Sequence, residues 1–304
     1  MRTVNTAQFD KVKSGAGFFA ALDQSGGSTP KALAEYGIEK DRYSNDDEMF
    51  DLVHQMRTRV ITNEAFDGTR ILAAILFEQT MERNMHGVSS ADYLWNDKQV
   101  VPFLKVDLGL ADESDQVQLM KPISTLDELL ERAVRHGVFG TKMRSVIKDA
   151  DATGVAAVAD QQFEYAARIA AAGLVPILEP EVSIDSPHKQ QAEQLLHDAL
   201  RSRLDALAPD ATVMLKLTIP SRPGLYADLA THPRVVRVLA LSGGYSRAEA
   251  CALLAQDSSM IASFSRALLE GLSDAQSAEE FDAALDASVT AIYAASVHSS
   301  SPPA

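Results

Sequence analysis

The sequence holds a single cysteine, Cys251, so no disulfide can form within the chain. Such usage fits a reducing compartment, and the expected location is the cytoplasm. Long hydrophobic runs are also missing. The longest, Ile71 to Phe77, falls far short of the roughly 20 residues that a membrane-spanning helix needs. Residues Met1 to Asp10 show neither an apolar core nor a small-residue cleavage site, so no secretory signal is expected. Positive charge is the scarcer sign: only 28 Lys and Arg stand against 42 Asp and Glu, a net charge of −14 over 304 residues. A surface this acidic repels phosphate backbones and anionic lipid, and neither nucleic acid nor a membrane is expected as a partner.

Several motifs are absent as well. No Gly-x-Gly-x-x-Gly opens a first helix, and no Gly-x-x-x-x-Gly-Lys-Ser/Thr follows a strand. The histidines, His54, His86, His136, His188, His197, His232 and His298, show no His-x-x-x-His or Cys-His spacing. They are expected to face solvent, with no metal and no cofactor in the chemistry. Cys251 lies in the Ala-rich pattern from Glu249 to Leu254, where packing is the better reading than nucleophilic duty. No Pro/Gly/Ser-rich linker divides the chain, which predicts one domain over residues 1–297 and a loose tail over 298–304.

What is present is a repeated alternation. Eight apolar segments of strand length recur: Gly17–Gln24, Ile71–Thr80, Val101–Asp107, Phe139–Ser145, Leu174–Val182, Val213–Pro220, Val235–Gly244 and Ile261–Leu268. Helical patterns lie between them, among them Ser124–His136, Ala156–Ala171, Lys189–Leu207 and Ser246–Gln256. Strand alternating with helix eight times predicts an α/β fold, a single-domain (β/α)8 TIM barrel.

Residues two apart in a strand share a face, so polar residues can be sorted by parity. In Val213 to Ile219 the odd positions are large and apolar, leaving Met214, Lys216 and Thr218 to face the barrel interior. Gly140, Lys142 and Arg144 share one face of their strand, as do Glu179 and Glu181 of theirs. Asp23 closes the first strand, Lys105 the third, Ser242-Gly243-Gly244 the seventh and Arg266 the eighth. Charge thus gathers at C-terminal strand ends, the rim on which parallel barrels build their sites.

Lys216 has apolar neighbours on both sides, and burying an unpaired ammonium costs several kcal/mol. Burial and the nearby cations Lys142 and Arg144 are expected to favour its free amine, which attacks ketones to form an iminium. Glu179, Glu181 and Asp23 supply carboxylates for the proton transfers this needs. Glu179 and Glu181 could also serve only as ion-pair partners of Lys142 and Arg144. For phosphate, Ser242-Gly243-Gly244 leads into a helix start at Ser246-Arg247-Ala248-Glu249 whose N–H groups could hold an anion, with Arg266 as the clamp. Ser25, Ser28, Lys31 and Lys105 form a second cation-and-hydroxyl set. The inferred substrate is a phosphorylated ketose, and the proposed site carries six cations against three carboxylates, a local +3 within an acidic chain.

The chain resembles class I (Schiff-base) fructose-1,6-bisphosphate aldolases of the bacterial type over residues 8–297. The motifs that carry the resemblance are Ala20 to Lys31, Phe103 to Asp107, Lys142-Met143-Arg144, Val175 to Glu181, Leu215-Lys216, Leu241 to Gly244 and Ser263 to Leu268. The resemblance implies that Lys216 forms the Schiff base with C2 of the substrate. It implies that Glu179 moves protons, that Glu181 and Lys142 assist and orient, and that Asp23 contacts the hydroxyl at the cleaved bond. Ser242, Gly243, Gly244 and Arg266 would hold the phosphate near the keto group. Ser25, Ser28, Lys31, Lys105 and Arg144 would face the far phosphate or sugar hydroxyls. Members of the family assemble as oligomers, so a homo-oligomer is implied.

Two departures stand out. The animal enzymes carry a C-terminal tyrosine that reaches the site, whereas this sequence ends Ser300-Ser301-Pro302-Pro303-Ala304. Leu108 stands where related chains often carry Lys. The competing readings are another Schiff-base aldolase or transaldolase acting on a phosphorylated sugar, which needs one phosphate site only, and a non-catalytic binding barrel.

Overall fold

The computed structural model describes residues 5–25 and 28–297, the Ser28 side chain excepted. The tail at 298–304 therefore lies outside the described residues. All eight expected strands form: β1 (Phe18–Leu22), β2 (Ile71–Leu76), β3 (Val101–Lys105), β4 (Gly140–Ile147), β5 (Val175–Val182), β6 (Val213–Thr218), β7 (Val235–Leu241) and β8 (Ile261–Phe264). Each pairs in parallel with the next, and β1 pairs with β8 through Phe19 opposite Ser263, which closes the barrel. This is the (β/α)8 architecture.

The expected segments overran several strands. After β2 the chain turns into a short helix at Glu78–Met81, and after β8 into another at Arg266–Leu269. Met81 and Leu268 are buried in these turns, so the apolar pattern continues although the backbone has changed. A short apolar run does not by itself separate strand from buried helix. The four helical patterns become Leu126–Arg135, Ala152–Ala171, Lys189–Asp205 and Arg247–Leu254. In Leu126–Arg135 the buried positions Leu126, Leu129, Leu130 and Ala133 fall at helical spacing. Asp127 and Glu128 in its first turn and Arg132 and Arg135 in its last complement the helix dipole.

The strands are apolar on both faces because both are covered. Outward residues such as Val213, Leu215 and Leu217 join the layer beneath the helices, with Leu196, Leu200 and Leu204. Inward residues form a separate cluster of Phe19, Phe103, Phe139, Ile177, Met214 and Leu239. Phe103 sits between Phe19 and Phe139, ring centroids 5.5 and 5.4 Å away. Gly140 makes room for it: a Cβ there would meet Phe103 Cε1 at 2.5 Å and the Val175 carbonyl at 2.3 Å. The helix Thr6–Ser14 closes this end, placing Val12 in the interior cluster, with Arg237 donating to the Lys13 carbonyl at 2.7 Å. The N-terminal half of the barrel is thus filled with hydrocarbon, and the polar groups are left to the other half.

Candidate active site

The inward faces change character along each strand. Phe19 and Ala21 lead to Asp23, Val101 and Phe103 to Lys105, Val175 and Ile177 to Glu179 and Glu181, and Met214 to Lys216. Above them lies a cavity of about 570 Å³. It is lined by Asp23, Ser25, Lys31, Lys105, Lys142, Arg144, Glu179, Glu181, Lys216, Ser242, Gly243 and Arg266, so the strand-end residues singled out from parity converge on one space. Gly244 lines an adjoining pocket that also includes Arg266. The Ser28 side chain is outside what is described.

The floor is an alternating ion cluster. Lys142 Nζ lies 2.6 Å from Asp23 Oδ2 and 2.9 Å from Glu179 Oε2, with Asp107 Oδ2 at 4.0 Å. Lys216 Nζ lies 3.1 Å from Glu179 Oε1. Lys142, Lys216, Asp23 and Glu179 are all buried. Burial disfavours the Asp23 carboxylate, but the ammonium groups of Lys142, Lys216 and Lys105 outweigh it and hold the carboxyl well below its usual range. Burial likewise disfavours the Lys142 ammonium, and Asp23, Glu179 and Asp107 outweigh it, raising Lys142 above the ordinary lysine range. The sequence reading surrounded Lys216 with cations. The structure instead places Glu179 between the two lysines, bridging charges that were expected to oppose one another.

Asp107 is the residue that sequence reasoning passed over. Its Oδ1 accepts Lys105 Nζ at 2.7 Å, and its Oδ2 accepts the Arg144 backbone N–H at 3.2 Å. The parity signal was available, since Phe103, Lys105 and Asp107 share a face. Arg144 Nε donates to Glu181 Oε2 at 2.6 Å; burial opposes the Arg144 charge, and Glu181 restores it. Glu181 is thus an ion-pair partner as well as a candidate acid. Glu35 lines the cavity too and pairs with Lys31 at 3.9 Å. Six cations now face five carboxylates, so the local +3 shrinks to +1.

Arg266 makes no hydrogen bond or ion pair among the described residues and is exposed to the cavity. Gly243 and Gly244 beside it have φ of +62° and +128°, which favour glycine. A Cβ on Gly244 would lie 3.7 Å from Arg266 Nη2. The helix start at Ser246 is a correction to the sequence reading. Ser246 and Glu249 form a capping box, and the Arg247 N–H donates to Glu270 Oε2 at 2.8 Å. The Ser246 and Arg247 N–H groups are thus taken by the chain's own carboxylates and the Glu249 N–H by the Ser246 hydroxyl, so this helix start does not offer those donors to a ligand.

The histidines also depart from expectation. His232 is buried and its Nε2 lies 3.1 Å from Asp205, His54, His136 and His197 are half-buried, and only His86 and His188 are exposed; His298 lies outside the described residues. Cys251 is half-buried against the core, and burial pushes its thiol up.

The family described as "Fructose-bisphosphate aldolase class-I" has a sequence model that matches residues 4–221, a stretch that runs through β6 and includes Lys216. Among solved structures, the chain is similar to a fructose-bisphosphate aldolase from Plasmodium falciparum, in a crystal with TRAP and a small-molecule inhibitor. That likeness has a TM-score of 0.72 at 20% identity and covers 97% of this chain and 96% of the other. A protein from Corynebacterium glutamicum aligns at TM-score 0.54 and 16% identity over 95% and 92%. At such identities the structures support the barrel, while the family match carries the chemistry. It spans seven-tenths of the chain, and the chain belongs to the class I fructose-bisphosphate aldolases, lyases that act on phosphorylated sugars.

Proposed function

We propose that the barrel, working as one domain over residues 1–297, cleaves fructose 1,6-bisphosphate reversibly through a Schiff base on Lys216. The amine attacks C2 of the ketose, and Glu179 accepts the proton that the ammonium must lose. Glu179 returns it to the carbinolamine hydroxyl, which leaves as water and gives the iminium. That iminium accepts the electron pair of the C3–C4 bond when Glu179, ionised again once water has left, takes the C4 hydroxyl proton, and glyceraldehyde 3-phosphate departs. Protonation of the enamine and hydrolysis release dihydroxyacetone phosphate.

Lys142, held cationic by three carboxylates, supports this sequence by stabilising the Asp23 carboxylate and by holding Glu179 in place at 2.9 Å. Asp23, held ionised, is suited to contact the C4 hydroxyl, and Glu181 with Arg144 orients the rim. Ser242, Gly243, Gly244 and Arg266 hold the phosphate beside the keto group. Ser25, Lys31, Lys105 and Arg144 face the far phosphate. Cytoplasmic location and a homo-oligomeric assembly complete the reading, supported by the single cysteine and by the family. Sedimentation of the purified chain tests the assembly.

The observation that carries the proposal is the 3.1 Å approach of Lys216 Nζ to Glu179 Oε1 at the cavity floor. Borohydride reduction with dihydroxyacetone phosphate, followed by peptide mass analysis, tests it. A reduced adduct on Lys216 is the expected result; an adduct elsewhere or none would overturn the mechanism.

A further inference from the structure

Arg57 interrupts an apolar stripe. The buried face of the helix Asp46–Thr62 consists of Met49, Val53, Met56, Arg57, Val60 and Ile61. Arg57 is 1% exposed, and among the described residues no carboxylate lies within ion-pair distance of it. A guanidinium buried in this way is costly unless its donors have a task. Nη1 donates to Thr80 Oγ1 at 2.7 Å and Nη2 to the Gln24 carbonyl at 2.5 Å, while Nε has no partner. Burial lowers its pKa to about 10, partly offset by the Asp23 carboxylate, so it remains a cation at neutral pH.

The two acceptors sit just beyond adjacent strands. Thr80 follows β2, and Gln24 is two residues past the end of β1. Gln24 extends the brace, its Nε2 donating to Ser265 Oγ at 2.6 Å beyond β8. The residue that follows Asp23 is therefore held by Arg57 from a helix behind the barrel and by Ser265 beyond β8, with Arg57 itself anchored on Thr80 beyond β2. Asp23, Gln24 and Ser25 all line the cavity. An apolar side chain at position 57 would fill the volume but leave the Gln24 carbonyl without this donor.

We propose that Arg57 is a positioning residue that fixes the Gln24–Ser25 segment, Asp23 being held separately by Lys142, and, through that segment, the preference for a ketose phosphorylated at both ends over one phosphorylated only beside the keto group. The inference rests on the assignment of the segment after β1 to the far phosphate.

Arg57→Met and Arg57→Lys, assayed with fructose 1,6-bisphosphate and fructose 1-phosphate, test it. In Arg57→Met, kcat/KM for the bisphosphate is expected to fall about 10- to 100-fold, the scale of a small misplacement, while the monophosphate changes by less than about threefold. The borohydride adduct of dihydroxyacetone phosphate on Lys216 should form as in the parent, and Arg57→Lys should recover part of the loss. Equal falls for both substrates, or no fall for either, would overturn the proposal. If Arg57→Met does not fold, Arg57→Lys decides by the same split, because one ammonium replaces two guanidinium donors. Failure of the parent enzyme to form the adduct is a separate result that strikes the Schiff-base reading and not Arg57.

Discussion

Lys142 Nζ lies 2.6 Å from Asp23 Oδ2 although their strands, β4 and β1, are not neighbours in the sheet. The pair spans the barrel lumen and is buried, with Glu179 and Asp107 on the same ammonium. Removing the cation would leave these carboxylates in a low-dielectric space. Lys142→Met is therefore expected to destabilise the fold by about 3–5 kcal/mol, read from urea unfolding, and to lower kcat in the folded enzyme. Unchanged stability would show that water or rearrangement screens the cluster.

The same pair sets a pH dependence. The folded Asp23 carboxyl is held below its unfolded value, so its contribution is complete above about pH 4 and is lost as pH falls toward the folded range. Lys142 is raised, so its contribution is complete below about pH 10 and is lost only as pH rises through its folded value. Unfolding free energy measured across the acid range should decline below about pH 4 in the parent and decline less in Lys142→Met, which has already lost the favourable partner.

Glu179→Gln keeps the shape but removes the charge facing both lysines. A loss in kcat of about 10²- to 10⁴-fold is expected, with slower formation of the trapped adduct on Lys216. Rapid-quench borohydride trapping separates this from a binding defect. A rise in KM alone, with kcat retained, would remove Glu179 from the proton transfers.

Arg266→Ala removes the one cavity cation that has no partner among the described residues. A charge-assisted contact of about 1.5–3 kcal/mol corresponds to a loss of about 10- to 100-fold in kcat/KM. Both bisphosphate and monophosphate ketoses should suffer, since both carry the phosphate beside the keto group. This separates Arg266 from Arg57, for which the split between the two substrates is the signature. Gly244→Ala should add a related loss, because its φ of +128° strains any side chain and its Cβ would press on Ile184 at 3.2 Å.

Much of the site was legible because the strand repeat is two residues. Parity alone placed Lys216, Lys142, Arg144, Glu179 and Glu181 inside the barrel, and the structure brings them to one cavity. Asp107 obeyed the same rule and was missed because its apolar neighbours and the strand end drew attention to Lys105. Ser246 misled for a local reason: a helix start reads as an anion site until the carboxylates that satisfy it are known, and Glu270 comes from a different part of the chain. Arg57 was illegible because a long polar side chain on an apolar stripe reads as a snorkelling residue unless its acceptors are seen.

By itself the sequence determined the barrel, the order of its strands and the inward face of each, since backbone geometry and the hydrophobic pattern act over neighbouring residues. Only the tertiary structure decided which charges meet. Closure of β8 on β1 and the stagger of the strands bring residues far apart in sequence within 3 Å, and Coulomb attraction between buried groups at that range chooses the partners. That is why Glu179 bridges two lysines and why the positive surplus that parity suggested contracts to Arg266, which has no partner among the described residues.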